Sequence, residues 1–134
     1  EKAAAEKAAA DKLAAEKAAA EAAADANRYA QINTFFELDS DVISDEEAAK
    51  LVRYIDWLKA NTDVDIAIAG HADKGTGNKR INQKLSEQRA AAVKAFLMER
   101  GIAESRIVSV VANGDRVQPF AENDLNRVVI STIE

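Results

Sequence analysis

The sequence of 134 residues contains no cysteine, which excludes a thiolate metal site, a thiol nucleophile and a disulfide framework. It contains a single histidine, His71, so an imidazole-rich metal cluster is excluded as well. A basic excess is also missing. With 18 Lys and Arg against 23 Asp and Glu, the formal net charge is −5. No basic stripe stands ready to neutralise phosphates, so nucleic acid and anionic membrane surfaces are poor partners. The uninterrupted apolar runs are short, and none could span a bilayer as a helix. Neither an initiator methionine nor a signal peptide opens the chain, which reads as a mature or truncated piece of something larger.

What is present falls into two unlike parts. Residues 1–26 repeat alanine, glutamate and lysine with a five-residue step and carry four lysines and six acids, or −2 of the charge. These are strong helix formers. A five-residue step turns an ideal helix about 140° past one full turn, so charges spiral around it and no apolar stripe develops. Only Leu13 could act as a packing knob, and no heptad supports a coiled coil. A solvated, semi-rigid helical spacer of roughly 39 Å is expected. Residues 27–134 have the texture of one globular domain, large enough to bury roughly 65% of its unfolded surface.

Within that domain Ile32, Thr34, Phe36 and Leu38 alternate as on one face of a half-buried strand. Ser44 followed by Glu47 is a capping box opening a helix. That helix should end near Asn61 and carry Ala48, Leu51, Val52, Ile55 and Leu58 on its core face. Asp65–Gly70 is a short apolar run suited to a central strand. A glycine-bearing loop over residues 73–77 leads into a second helix, from about Lys79 to Arg100, stopped by Gly101. Ile81, Leu85, Ala92 and Phe96 are expected to face the sheet from it. Strands over 107–111 and 127–133 complete the order β-α-β-α-β-β. The expected architecture is a two-layer α/β (α+β) sandwich with a mixed four-stranded sheet, its helices packed on one face, behind the long alanine-rich helix.

The chemistry concentrates where the central strand ends. His71 and Asp73 leave that end, while Asn82, Ser86 and Arg89 follow at i, i+4 and i+7 along one edge of the second helix. A strand's carboxyl end beside a helix amino end is a usual ligand position. Carboxylate and guanidinium together suit a zwitterion, an ammonium and a carboxylate on one small group. The plainer alternatives are that Asp73 caps its loop, that Arg89 is an ordinary surface arginine, and that His71 packs at the strand end. His71 and Asp73 could also be a metal or acid–base pair, but no third ligand lies nearby. No serine sits in a nucleophile elbow, and no histidine follows position 71 to act as base. Gly75 and Gly77 fit neither phosphate-loop spacing.

Gly70-His71-Ala72-Asp73, Asn82, Leu85-Ser86, Arg89-Ala90 and Asn126-Arg127-Val128, in this order, resemble the OmpA-like peptidoglycan-binding domain found in OmpA and MotB C-termini. Phe36–Ser40 resembles that family's first strand and acidic turn, so the likeness spans about residues 30–134. The resemblance implies a non-enzymatic periplasmic domain that holds peptidoglycan through the diaminopimelate of its stem peptide. It implies no cofactor, no metal, and attachment to an outer-membrane barrel, lipoprotein or motor stator of a Gram-negative bacterium. By position, Asp73 would take the ligand ammonium and Arg89 its carboxylate, with Asn82, Leu85 and Arg127 lining the pocket. This sequence departs from the family pattern at Ala72 in place of threonine, at Val128 in place of a second arginine, and in a loop lengthened by residues 74–77. Two other readings remain: a hydrolase of cell-wall peptide acting through His71 and Asp73, and an interaction module whose pocket is vestigial.

Overall fold

The computed structural model describes residues 29–134, and one compact unit runs from Gln31 to Glu134. The spacer expected over residues 1–26 lies outside the described residues, as do residues 27 and 28. The unit contains β1 (Gln31–Phe35), α1 (Asp45–Ala60), β2 (Ile66–Gly70), α2 (Lys79–Glu99), β3 (Ile107–Ala112) and β4 (Val128–Ile133). Short 3-10 turns occupy Glu104–Arg106 and Asn123–Asn126.

The helices begin and end where local chemistry directs. The Ser44 hydroxyl accepts from the Glu47 amide at the start of α1, and three acids in the first turn complement the helix dipole. The Asn78 side chain accepts from the Ile81 amide at 2.9 Å to open α2. Gly101, at φ 99°, carries the chain away beyond α2 in a conformation that L side chains rarely adopt.

The sheet is four-stranded in the order β1-β4-β2-β3. β2 and β3 are parallel and joined through α2, whereas β4 inserts between β1 and β2 and runs antiparallel to both. Mixed pairing with helices packed on the sheet is the expected architecture. Ile66, Ile68 and Gly70 of β2 are buried, and Ala67 and Ala69 less so. The buried set is the face on which α2 lies. A Cβ on Gly70 would come 2.3 Å from the Ser86 carbonyl oxygen, so only glycine permits this approach of helix to strand.

Leu51, Tyr54, Ile55 and Leu58 of α1 join Val93 and Leu97 of α2 and Val128 and Val129 of β4 in the core. Burying each such side chain stabilises the fold by about 1.5–3 kcal/mol before chain entropy is set against it. Three expectations need correction. In α1 Tyr54 takes the core place expected of Val52, which is 37% exposed, because the buried stripe lies a fraction of a turn to one side. β1 stops at Phe35, so Leu38 does not share the buried strand face with Thr34 and is 56% exposed. The third correction bears on the site.

Candidate functional site

The polar stripe on α2 is its core face. Asn82, Ser86 and Arg89 are buried and run on into Ala90, Val93 and Leu97, whereas Ile81, expected to face the sheet, is 47% exposed. Positions 82, 86, 89, 93 and 97 themselves follow helical periodicity, so apolar and polar residues form one continuous inward stripe. Buried polar groups need partners, and each of these has them. The Ser86 hydroxyl donates to the Gln83 carbonyl at 2.8 Å and accepts from the Gly114 amide at 2.9 Å. Asn82 Nδ2 lies 2.9 Å from the Thr76 carbonyl oxygen and 3.0 Å from Asp115 Oδ2, with the Asp73 carbonyl oxygen at 3.3 Å.

Arg89 is wholly buried. Its Nε donates to the Ser40 carbonyl at 2.8 Å, Nη2 to Glu37 at 3.1 Å and Nη1 to His71 at 3.1 Å. Its guanidinium also stacks 5.5 Å from the centre of the Phe36 ring. Burial pulls its pKa down to about 10, opposed chiefly by the charge of Asp73, so it stays a cation at neutral pH. Arg89 thus fastens the loop after β1 to the end of β2.

Asp73 is 2% exposed and surrounded by donors. Thr76 Oγ1 and Asn123 Nδ2 each donate to Oδ2 at 2.8 Å, and Arg127 Nε pairs with Oδ1 at 3.1 Å. Burial pushes the carboxyl pKa up. The three hydrogen bonds and the charge of Arg127 outweigh it and hold the group below its ordinary value of 3.8. Asn123 also accepts from the Gly75 amide at 3.0 Å, which ties the glycine loop to the turn before β4.

A cavity of about 310 Å³ opens beside this cluster, lined by Leu38, Asp39, Thr76, Gly77, Ile81, Asn82 and Leu85. One wall is the loop held by Arg89, in which Asp39 takes the left-handed conformation at φ 51°. The opposite wall is the glycine loop and the first turns of α2. Of the residues expected at the site, Asn82 and Leu85 line the cavity. Asp73 and Arg127 form an ion pair reached through Thr76, and Arg89 lies behind Leu38 and Asp39. The sequence reading missed Leu38, Asp39, Thr76, Ile81 and Asn123 as site residues. The acidic turn ending at Ser40 was legible, but nothing local says what that turn encloses.

His71 is 3% exposed, and its own carbonyl is an acceptor for Arg89. Burial depresses its pKa, with a hydrogen bond to the backbone of Val117 acting the other way. Among the described residues no group of three or more His, Asp or Glu could hold a metal ion, and no helix is long and apolar enough to cross a membrane.

The OmpA family model matches residues 35–129. Outer membrane protein 41 of Porphyromonas gingivalis is 39% identical over 95 residues, covering 71% of this chain and 24% of that protein. The peptidoglycan-associated lipoprotein of Brucella melitensis is 34% identical over 90 residues, covering 67% of this chain and 53% of the relative. The chain therefore spans about a quarter to a half of these relatives' length. The crystal structure of the peptidoglycan-associated lipoprotein from Burkholderia pseudomallei superposes with a TM-score of 0.69 at 23% identity, covering 76% of this chain and 89% of that one. The periplasmic domain of Helicobacter pylori MotB gives 0.63 at 17% identity, covering 78% and 74%. At these identities the structures speak for the fold alone.

Proposed function

This chain belongs to the OmpA family, and from that premise we propose that it binds peptidoglycan non-covalently through the diaminopimelate of the stem peptide. In this reading the domain is not an enzyme. It sits in the periplasm of a Gram-negative bacterium and anchors an outer-membrane protein or lipoprotein to the cell wall. The observation that carries the proposal is the cavity between the Leu38–Asp39 loop and α2, with a buried carboxylate and a buried guanidinium behind its two walls. Similarity to proteins named as peptidoglycan-associated supports it.

A zwitterion entering this cavity would exchange partners with the chain. The ligand ammonium takes the place of the Thr76 hydroxyl on Asp73, and the ligand carboxylate takes donors of Arg89 from the carbonyls of Glu37 and Ser40. Arg127 keeps Asp73 ionised throughout. Guanidinium and carboxylate meet through two parallel hydrogen bonds, which an ammonium cannot reproduce.

Calorimetry with two stem peptides tests the proposal. Diaminopimelate ends in an ammonium and a carboxylate, lysine in the ammonium alone. A lost charge-assisted contact costs about 1.5–3 kcal/mol, so the lysine-type peptide should bind at least about tenfold more weakly. Equal affinity would refute the zwitterion reading. That Asp73 and Arg89 are already satisfied within the chain favours a second reading, in which both are structural ties and the pocket is vestigial. It predicts no measurable binding of either peptide. Cleavage of stem peptide by the wild type, abolished in His71→Ala, would instead make it a hydrolase.

A further inference from the structure

The two walls of the cavity carry opposite charge. Residues 37–47 hold six acids and no base, whereas residues 74–86 hold Lys74, Lys79, Arg80 and Lys84 and no acid. Part of the acidic charge is engaged within the fold. After Asp73, Asp39 and Asp41 favour the buried Arg89 cation, and Glu47 pairs with Lys50 at 2.6 Å. The four bases have no such use. All are exposed, and among the described residues none of them pairs with an acid. Their placement also works against their own helix. A helix amino end favours acids, as the three in the first turn of α1 show, yet the first turn of α2 contains none. Arg80 and Lys84 stand four residues apart, where like charges repel. Charge set against the stability of its own helix is explained by a partner from outside the chain.

Position selects two of the four. Ile81 and Leu85 line the cavity. Lys84 lies about 60° and Arg80 about 100° round the helix from Ile81, both in the same sense, so they border that lip on its exposed side one turn apart. Lys79 lies about 200° from Ile81, on the opposite side of the helix. Arginine and lysine stems can follow an apolar lip while their charged heads stay in water, and cations so placed bind a carboxylate through charge-assisted hydrogen bonds. We propose that Arg80 and Lys84 form a carboxylate subsite beside the cavity, which receives a second free carboxylate of the ligand. The proposal rests on the stem-peptide reading above and deepens it. Diaminopimelate enters the cavity, and the residue joined to its amino side is a glutamate linked through its γ-carboxyl. The α-carboxylate of that glutamate stays free unless it is amidated. With this carboxylate over α2, the acidic wall opposite repels it from the reverse orientation. Such a site distinguishes the free-acid stem peptide from the amidated one.

Calorimetry on the full chain with four stem peptides tests this. They contain diaminopimelate or lysine, each with the glutamate α-carboxylate free or amidated. Wild type should bind the free-acid diaminopimelate peptide about 3- to 10-fold more tightly than its amide, and the margin should shrink as salt is raised. Arg80→Gln with Lys84→Gln should erase that margin, whereas Lys79→Gln should keep it. The urea midpoint of the double variant should not fall, since a like-charge pair has been removed. Equal affinity of the wild type for acid and amide overturns the subsite and leaves the zwitterion reading standing, as does a double variant that discriminates like wild type. A double variant that loses stability and weakens on acid and amide alike also overturns it, because the bases then only hold the two walls together. Lysine peptides that bind as tightly as diaminopimelate ones, with acid still favoured over amide, refute the zwitterion reading alone. A wild type that binds none of the four overturns both.

Discussion

Arg89 Nε donates to the Ser40 carbonyl at 2.8 Å, joining residues 49 apart in sequence. With its bonds to Glu37 and His71, this places the most polar side chain of α2 at the point where the loop after β1, the end of β2 and the helix meet. A guanidinium fits because its planar fork supplies several donors at fixed angles, which a lysine ammonium does not. The cavity wall formed by Leu38 and Asp39 depends on it.

Arg89→Ala is expected to destabilise the domain by about 3–5 kcal/mol, because it takes a buried donor from the carbonyls of Ser40, His71 and Glu37, the last of which also accepts from the Ser40 amide at 3.3 Å. Arg89→Lys should recover only part of this. Complete burial makes the residue part of the fold whether or not it also meets a ligand. Urea unfolding decides, and a loss below about 1 kcal/mol would mean that water satisfies those carbonyls.

Gly70→Ala should cost about 2–3 kcal/mol, since the new methyl group meets the Ser86 backbone at 2.3 Å and α2 must move off the sheet. Its thermal midpoint should fall by several degrees. The same substitution at Gly101 acts through a different cause. There the nearest atoms belong to a flexible lysine at 3.4 Å, and the cost comes from the φ of 99°.

Asp73 sets an acid limb. Its folded pKa lies below 3.8, so its stabilisation is complete above that value and is lost as pH falls through the lower folded one. Asp73→Asn should be less stable than wild type at pH 7 by about 1–3 kcal/mol. The difference should shrink as pH drops below 3.8. Parallel urea midpoints for the two proteins across the acid range would contradict this.

His71 acts in a separate window. Its folded pKa is depressed below 6.5, so protonation favours the unfolded chain. Stability should be full above pH 6.5 and decline from there down to the folded pKa, below which it levels off. His71→Gln should lack this decline, and an NMR titration of the imidazole in wild type should fall on the acid side of 6.5.

Much of the fold was legible because its causes are local. The Ser44 cap satisfies an amide three residues away, and Gly101 turns a helix end through its own φ. The β-α-β-α-β-β order follows from periodicities of two and 3.6 residues, which need no knowledge of the partner. The motif residues at 73, 82, 85, 89 and 127 were legible in the same way, as identities and spacings.

What those residues touch was decided only in three dimensions. The apolar count on α2 pointed Ile81 and Phe96 at the sheet, and the fold instead turned Asn82, Ser86 and Arg89 inward. It could do so because the strand ends and loops supply each of them with hydrogen-bond partners from outside the helix, the Asp115 carboxylate for Asn82, the Gly114 amide for Ser86 and three carbonyls for Arg89. Asp73 and Arg127, 54 residues apart, become an ion pair because β4 inserts beside β2. Helical or strand period is set by neighbours a few residues along the chain. The burial of a polar group depends on whether distant segments close around it with matching donors and acceptors, and no window of sequence contains both sides of that match.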